Sequence, residues 1–344
     1  MDQRSQVDAV YTDFRKAFDK VDHALLLAKI AYNGIRGDLL RWFSSYVTNR
    51  TQKVVIQGHE SESINVTSGV PQGSILGPLL FILFINDITS CFKHSKFLLY
   101  ADDLKVFRKI SSDNDCILFQ EDLNRFSIYC NNNKLQLSIP KCLSITFTKN
   151  KNIFSYTYYL SNTALQKEST VRDLGVLLDS KLHLDRHIDK IISNAFRMYG
   201  FVMRATTDFK RTHTYILLYK SLVRSQLEYA VMVWNPYYKK YIHNLEKVQY
   251  KFLKATHYRC SRRSLTYDEL LKYYKLTKLE SRRTFLETMF LYDLCANRYD
   301  CSDLTNSLCY VVPRTVLRRE VRACVCSVFL SHKCWGPRAS SSLG

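Results

Sequence analysis

Four consecutive residues, Tyr100-Ala101-Asp102-Asp103, place two adjacent carboxylates between β-prone runs. Lys96-Phe97-Leu98-Leu99 precede them and Leu104-Lys105-Val106-Phe107 follow, a pattern that reads as a hairpin with acids at its tip. Neighbouring side chains on a regular strand point to opposite faces, so a tight turn is what lets both carboxylates face one spot. Two clustered carboxylates repel and tend to take up a proton. A divalent cation removes that penalty, and hard oxygen ligands suit Mg2+. Taken alone, the same residues also describe an ordinary polar turn, which acidic residues favour for local hydrogen-bonding reasons.

The elements that must hold such a site come before and after it. Val7–Thr12 reads as a buried strand delivering Asp13 at its end. Asp22 is a fitting N-cap for a helix through Leu25, Leu26 and Ile30 that Gly34 ends. A second helix follows Asp38, with Leu39, Leu40, Phe43, Tyr46 and Val47 on one face. Lys53–Ile56 and Ser63–Thr67 pair as a hairpin across Gly58-His59-Glu60. The loop Ser68-Gly69-Val70-Pro71-Gln72-Gly73-Ser74 lets backbone approach a flat ligand closely and offers the Gln72 amide there. Read without its surroundings it is a plain glycine-bearing loop. Ile75–Ile85 follows as a buried helix with Pro78 in its first turn, too short to span a membrane. Beyond the acidic hairpin, Glu121–Cys130 reads as a helix, and Leu135–Ile139 and Leu143–Thr148 as short β-like runs. Val171–Leu178 reads as a strand–turn element. From Asp185 the pattern is helical, near 186–205, 209–233 and 238–256, and Thr266–Glu269 matches a capping box.

Charge separates the front of the chain from its back. The 344 residues carry a net charge of +19. Residues 1–180 hold 21 Lys/Arg against 18 Asp/Glu, whereas residues 181–290 hold 22 against 9. A near-neutral body with a basic extension suits a catalytic domain joined to a polyanion grip. An apolar content of 46% excludes a disordered chain. Of eleven cysteines, an odd number, Cys91, Cys116, Cys130 and Cys142 are widely spaced and read as reduced, mostly buried thiols. Cys295, Cys301, Cys309, Cys324, Cys326 and Cys334 crowd the tail with His332, but without the usual two-to-four-residue spacing of zinc ligands.

Three stretches, Asp13-Phe14-Arg15-Lys16-Ala17-Phe18-Asp19, Ser68–Gly73 and Tyr100–Asp103, together resemble reverse transcriptases, most closely those of non-LTR retrotransposons. Gly69-Val70-Pro71-Gln72-Gly73-Ser74 followed by Pro78-Leu79-Leu80-Phe81, and Asn86-Asp87-Ile88, add to the likeness. Val171-Arg172-Asp173-Leu174-Gly175 resembles the family's primer-grip strand and the basic helices its thumb. The likeness covers roughly residues 7–258 and fades after Cys260.

The resemblance implies an α/β polymerase palm, an antiparallel sheet with helices on one face, followed by a helical thumb. The implied divisions are 1–150 for the palm, 151–184 for a primer-grip β element, 185–258 for the thumb and 259–344 for a Cys-rich region. It implies that Asp13, Asp102 and Asp103 hold two Mg2+ ions. Phe14, Phe18, Gly69, Gln72, Gly73 and Tyr100 would surround the nucleotide, with Phe18 as steric gate against a ribose 2′-hydroxyl; Phe18 is equally readable as a core aromatic. Lys141 or Lys134 would protonate the leaving group, Asp19 would be structural, and Leu174 and Gly175 would grip the primer. The implied partners are an RNA template, a DNA primer, their RNA–DNA duplex and deoxynucleoside triphosphates, inside the cell, in the nucleus or a cytoplasmic ribonucleoprotein, and not a membrane. Only 12 residues precede Asp13, where the family has a fingers subdomain. The expectation is a fragment of a longer polypeptide, or the product of a truncated element that extends primers slowly. The rival reading is an inactive nucleic-acid-binding remnant.

Overall fold

In the computed structural model, which describes residues 5–306, the first strand, β1 (Gln6–Thr12), is buried at Gln6, Asp8, Val10 and Thr12 and half-buried at Val7 and Tyr11. Two helices follow, α1 (His23–Tyr32) and α2 (Gly37–Val47). The Asp22 carboxylate accepts the Leu25 N–H at 3.0 Å to start α1, and Gly34, with φ +92°, follows its end. Next come β2 (Arg50–Gln52), β3 (Val55–Ile56), β4 (His59–Glu60), β5 (Ile64–Val66) and α3 (Leu76–Ile85). Strands β6 (Lys96–Tyr100) and β7 (Asp103–Ile110) lead into α4 (Asp113–Asn132) and β8 (Leu143–Thr148). Short strands β9 (Tyr159–Leu160), β10 (Thr163–Ala164), β11 (Gln166–Lys167), β12 (Thr170–Asp173) and β13 (Val176–Asp179) follow.

β1 is the middle of a five-stranded sheet ordered β11-β8-β1-β7-β6. Every pairing is antiparallel except that of β11 with β8. Register sets the faces. Val10 lies opposite Val106 and Thr12 opposite Leu104, and these inward residues pack on Phe81 and Phe84 of α3 and on Phe119, Leu123 and Phe126 of α4. The alternate residues, Tyr11 opposite Lys105 and Leu98 opposite Lys105, line the other face. Asp8 is buried on the helix side, where the Tyr158 hydroxyl donates to it at 2.7 Å and the Gln6 amide at 3.0 Å. Such donors are what allow a carboxylate to leave water.

The chain divides into two compact units. One runs to Val171 and includes Asp179–Leu182; the other takes Arg172–Leu178 and the chain from His183. The second unit is helical: α5 (Asp185–Ala205), α6 (Thr212–Leu218), α7 (Ser225–Glu228), α8 (Val231–Trp234), α9 (Lys239–Ser261), α10 (Tyr267–Tyr274), α11 (Leu279–Cys295) and α12 (Ser302–Thr305). Its core gathers Tyr215, Tyr219, Val223, Trp234, Val248 and Phe252. The capping box at Thr266 and Glu269 is present, as is a second one, Ser112 with Asp115, ahead of α4.

Several expectations are corrected. Leu135–Ile139 is not a strand: Leu137 makes one bridge to Phe14, and Pro140 sits in a short turn of helix, Ile139–Lys141. The hairpin after α2 pairs β2 with β5, and His59-Glu60 is itself a strand, because Gln57 (φ +48°) and Gly58 (φ +84°) turn the chain in two residues. The helix expected over 209–233 is interrupted by a wider π turn at Tyr219–Arg224 and broken at Ala230, whose φ is +52°. Helix α4 is longer than Glu121–Cys130 because its start is the Ser112 cap. Helix α3 is buried on one side only: Leu79 and Ile82 are exposed, as are Ile75 just before it and Leu39 of α2. Cys91, Cys116, Cys130 and Cys142 are free and buried, as expected. Of the tail cysteines, Cys295 and Cys301 are free, and Cys309, Cys324, Cys326, Cys334 and His332 lie outside the described residues.

Asp115 gives the first testable consequence. It accepts from the Ser111 and Ser112 amides at 2.9 and 3.1 Å and from the Arg108 guanidinium at 2.7 Å. The Arg108 bond, then the Ser111 amide, hold its carboxyl down at about 2. A depressed acid stabilises the fold above its unfolded pKa of about 4, and that contribution is lost as pH falls towards 2. Asp115→Ala is expected to cost about 2 kcal/mol at pH 7, from a lost cap and a half-buried ion pair. The urea midpoint should show it, and the gap to the parent should close as pH drops from 4 to 2. A deficit unchanged across that range would assign the loss to packing.

Candidate active site

The sheet delivers its acids at one end. β1 stops at Thr12, opposite Leu104, so Asp13 and Asp103 are the next residues on neighbouring strands. Within β7, Asp103 shares the face of Lys105, away from α3 and α4, and Asp13 follows directly on the end of β1. Tyr100 pairs directly with Asp103, leaving Ala101 and Asp102 as a two-residue turn in which Ala101 takes φ +54°. The hairpin read from the sequence is thus present, with Asp102 in the turn and Asp103 at the start of the return strand. Tyr100 and Asp103 are exposed, and Asp13 and Asp102 half-exposed.

Asp13 has two further neighbours. Its amide donates to the Cys142 sulfur at 3.5 Å, and burial raises the Cys142 thiol, so it stays protonated there. The Lys141 ammonium lies 3.5 Å from the Asp13 carboxylate, with both side chains well exposed. An ion pair of that kind is weak and readily exchanged. Lys134, the other candidate acid, is committed elsewhere: its ammonium bonds Asp22 at 2.6 Å and, foremost, lowers that carboxyl. The structure therefore separates two lysines that the sequence could not.

Phe14 is buried edge-on to Phe126. The bonds of its bridge are made by Arg15 N–H to Gln136 O and Ser138 N–H to Asp13 O, leaving the Phe14 amide out of the bridge. Phe18 packs at a tilt on the buried Phe81, centroids 4.5 Å apart, and is partly exposed.

The glycine loop is zipped to the segment that carries Phe18. Gly69 N–H bonds Val21 O at 2.8 Å, Val70 N–H bonds Phe18 O at 2.9 Å, and the Ser68 hydroxyl bonds Asp19 O at 2.8 Å. Gly69 has φ +87°, and a Cβ there would lie 2.8 Å from the Asp19 Cα and carbonyl oxygen. Only glycine fits. The Gly69 carbonyl accepts from His23 Nε2 at 2.8 Å and Arg50 Nη2 at 3.2 Å, two anchors that sequence reading missed. Gln72 is exposed, and its amide donates to the Asp19 carboxylate at 2.7 Å. Gly73, also left-handed at φ +77°, has nothing within 4 Å of a Cβ.

With this geometry in view, residues 2–178 match the family model described as reverse transcriptase (RNA-dependent DNA polymerase). The chain belongs to the reverse transcriptase family. The resemblance read from the motifs is borne out by its relatives. The RNA-directed DNA polymerase from mobile element jockey of Drosophila melanogaster is 28% identical over 265 residues, covering 74% of this chain and 29% of that protein. The probable RNA-directed DNA polymerase from transposon X-element of the same species is 24% identical, covering 73% of this chain and 28% of that protein. The chain spans under a third of the length of these curated relatives. A solved structure of apo telomerase from Candida tropicalis matches with a TM-score of 0.42 at 11% identity, over 78% of this chain and 45% of that one.

Reverse transcriptases generally use divalent metal ions. Among the described residues, no three acidic, His or Cys side chains stand together as a ready-made metal cage. The donor set at the sheet end nevertheless fits a hard cation, since Mg2+ is commonly held by one or two carboxylates with waters and substrate phosphates. No helix among the described residues is long and apolar enough to cross a membrane.

In the helical unit of this reverse transcriptase family member, the turn at Leu174-Gly175 is held by a residue the sequence did not point to. Leu174 (φ +42°) and Gly175 (φ +91°) turn the chain, and the Tyr229 hydroxyl donates to Leu174 O at 2.8 Å. A Cβ on Gly175 would meet the Tyr229 ring at 3.2 Å. Trp234 Nε1 in turn bonds Tyr229 O at 2.7 Å. The only sequence signal was aromatic: Tyr229 closes α7 where the helix breaks.

Proposed function

We propose that the chain is the palm and thumb of an RNA-directed DNA polymerase, adding deoxynucleotides to a primer 3′-hydroxyl on an RNA template. The observation that carries the reading is the sheet end, where β1 stops at Thr12 opposite Leu104, so that Asp13 follows one strand and Asp103 begins the other, with Asp102 in the adjoining turn. In this reading Asp13, Asp102 and Asp103 hold two Mg2+ ions, which when bound supply activation of the primer hydroxyl and charge neutralisation on the leaving pyrophosphate. The Lys141 ammonium, 3.5 Å from the Asp13 carboxylate, is in this reading the proton donor to the leaving group. The Phe14 amide reaches towards the triphosphate. Gly69, Gln72 and Gly73 form the floor under the templating base and incoming nucleotide, with Asp19 fixing the Gln72 amide. Tyr100 lies beside the nucleotide in the same reading. Leu174 and Gly175 hold the primer strand, and the basic helices from Asp185 hold the RNA–DNA duplex by its phosphates.

The reading is tested by primer extension on an RNA template with deoxynucleotides and Mg2+; a polymerase loses extension when the metal is chelated. The gate supplies a finer test. Phe18 packs on Phe81 and is partly exposed, and in this reading its ring excludes a 2′-hydroxyl by shape. Phe18→Val is expected to raise ribonucleotide incorporation relative to deoxynucleotide about tenfold, ~1.4 kcal/mol of discrimination. An unchanged ratio with normal activity would return Phe18 to the core.

A further inference from the structure

Within the helical unit, α9 presents Lys247, Lys251, Lys254 and Tyr258 at i, i+4, i+7 and i+11, which a helix gathers into one stripe. All four are exposed, while Leu245, Val248, Phe252 and Leu253 of the same helix are buried. The stripe forms one wall of a cleft of about 480 Å³, closed by Tyr199 of α5, Tyr250 and Arg263. A volume of that size suits a small aromatic ligand.

We propose that this cleft binds single-stranded nucleic acid, stacking unpaired bases on its tyrosines and holding their phosphates with its lysines. It rests on the polymerase reading but adds a site for strand that is not in the duplex.

The ordinary explanation of a lysine stripe is a solvated helix face, and such faces interleave acids with bases to form i, i+4 pairs. Here residues 247–263 contain six Lys or Arg and no Asp or Glu. No carboxylate lines the cleft either. In place of acids the ammoniums rest on rings: Lys251 Nζ is 5.2 Å from the Phe196 centroid and Lys254 Nζ 5.7 Å from that of Tyr250. These are the partners a cation takes when no anion is present. A phosphate would draw the ammonium off the ring and bare an aromatic face at the same moment.

Two occupants compete for such a surface. An A-form duplex presents phosphates and sugars, with its base faces already stacked inside, so concave tyrosines gain nothing from it. An unpaired strand offers both phosphates and free base faces, and sequence-tolerant stacking with backbone charge contacts is how such strands are held. The apolar, aromatic lining favours the unpaired strand.

Fluorescence anisotropy on the whole chain tests this with a labelled 12-nucleotide single-stranded RNA, an RNA–DNA duplex and an abasic oligonucleotide of equal length. Tyr258→Ala should weaken single-strand binding roughly tenfold and leave duplex binding within about twofold. Tyr258→Phe, which keeps the ring, should bind as the parent does. Lys251→Gln with Lys254→Gln should reduce the slope of log affinity against log salt by about 1.4 for the single strand. Equal effects of Tyr258→Ala on single strand and duplex, or abasic binding equal to base-bearing, would overturn the stacking site. So would displacement of the RNA by an acidic peptide at equal concentration. A parent that binds duplex but shows no Tyr258-dependent single-strand binding overturns this site alone; a parent that binds neither overturns the polymerase reading as well.

Discussion

Asp102→Asn or Asp103→Asn is expected to abolish RNA-templated extension while leaving template binding near that of the parent. Asparagine keeps the shape of the side chain and the turn, so the hairpin pairing of Tyr100 with Asp103 should survive. What it removes is a unit of negative charge and an anionic oxygen, the two properties a hard cation needs. Duplex grip is assigned to the basic helices, which neither substitution touches. The measurement is paired extension and anisotropy, made with the chain joined to the flanking segments its longer relatives possess. A variant that kept even a tenth of the parent rate would have lost only ~1.4 kcal/mol of transition-state stabilisation. That is far too little for removal of a metal ligand, and the two-metal assignment would fall.

Gly69→Ala carries the second large effect. Its methyl would need to occupy space 2.8 Å from two backbone atoms of Asp19 and 2.9 Å from Phe18 O, while adopting φ +87°. A left-handed alanine costs about 1 kcal/mol, and pushing apart packed backbone adds roughly 2 kcal/mol. We expect a loss of about 3 kcal/mol in unfolding free energy, read as a lower urea midpoint. Gly73→Ala is the internal control. It shares the left-handed backbone, at φ +77°, but meets nothing within 4 Å, and should lose only about 1 kcal/mol. Equal losses at the two sites would reject close approach as the reason for glycine at 69.

Much of this was legible in the sequence because short periods and turn residues act locally. Val7–Thr12 reads as a buried strand ending at Asp13 and Tyr100–Asp103 as a hairpin tip from residue types alone, whereas the pairing of β1 with β7 that brings them to one sheet end is tertiary. The Asp22 and Thr266 caps were readable for the same reason. Which of Lys134 and Lys141 faces Asp13 was not, because both are long side chains a few residues apart and only tertiary folding sends one to Asp22. Tyr229 escaped notice since its role depends on a helix break and a π turn that no apolar spacing announces. Ile75, Leu79 and Ile82 show the opposite failure: hydrophobicity declared them buried, but periodicity says only that a stripe exists, not that anything covers it.

The zip between the glycine loop and the segment 18–21 has a consequence for fidelity. Phe18, proposed to test the sugar, and Gln72, proposed to lie under the base pair, are linked through four backbone and side-chain hydrogen bonds to the same few residues. A shift of Asp19 would move both at once. In the proposed reading, sugar choice and base choice are coupled rather than independent traits. Substitutions at Ser68, Asp19 or Val70 that relax ribonucleotide exclusion should raise mispairing in the same variants, and selection for accuracy in one would carry the other with it.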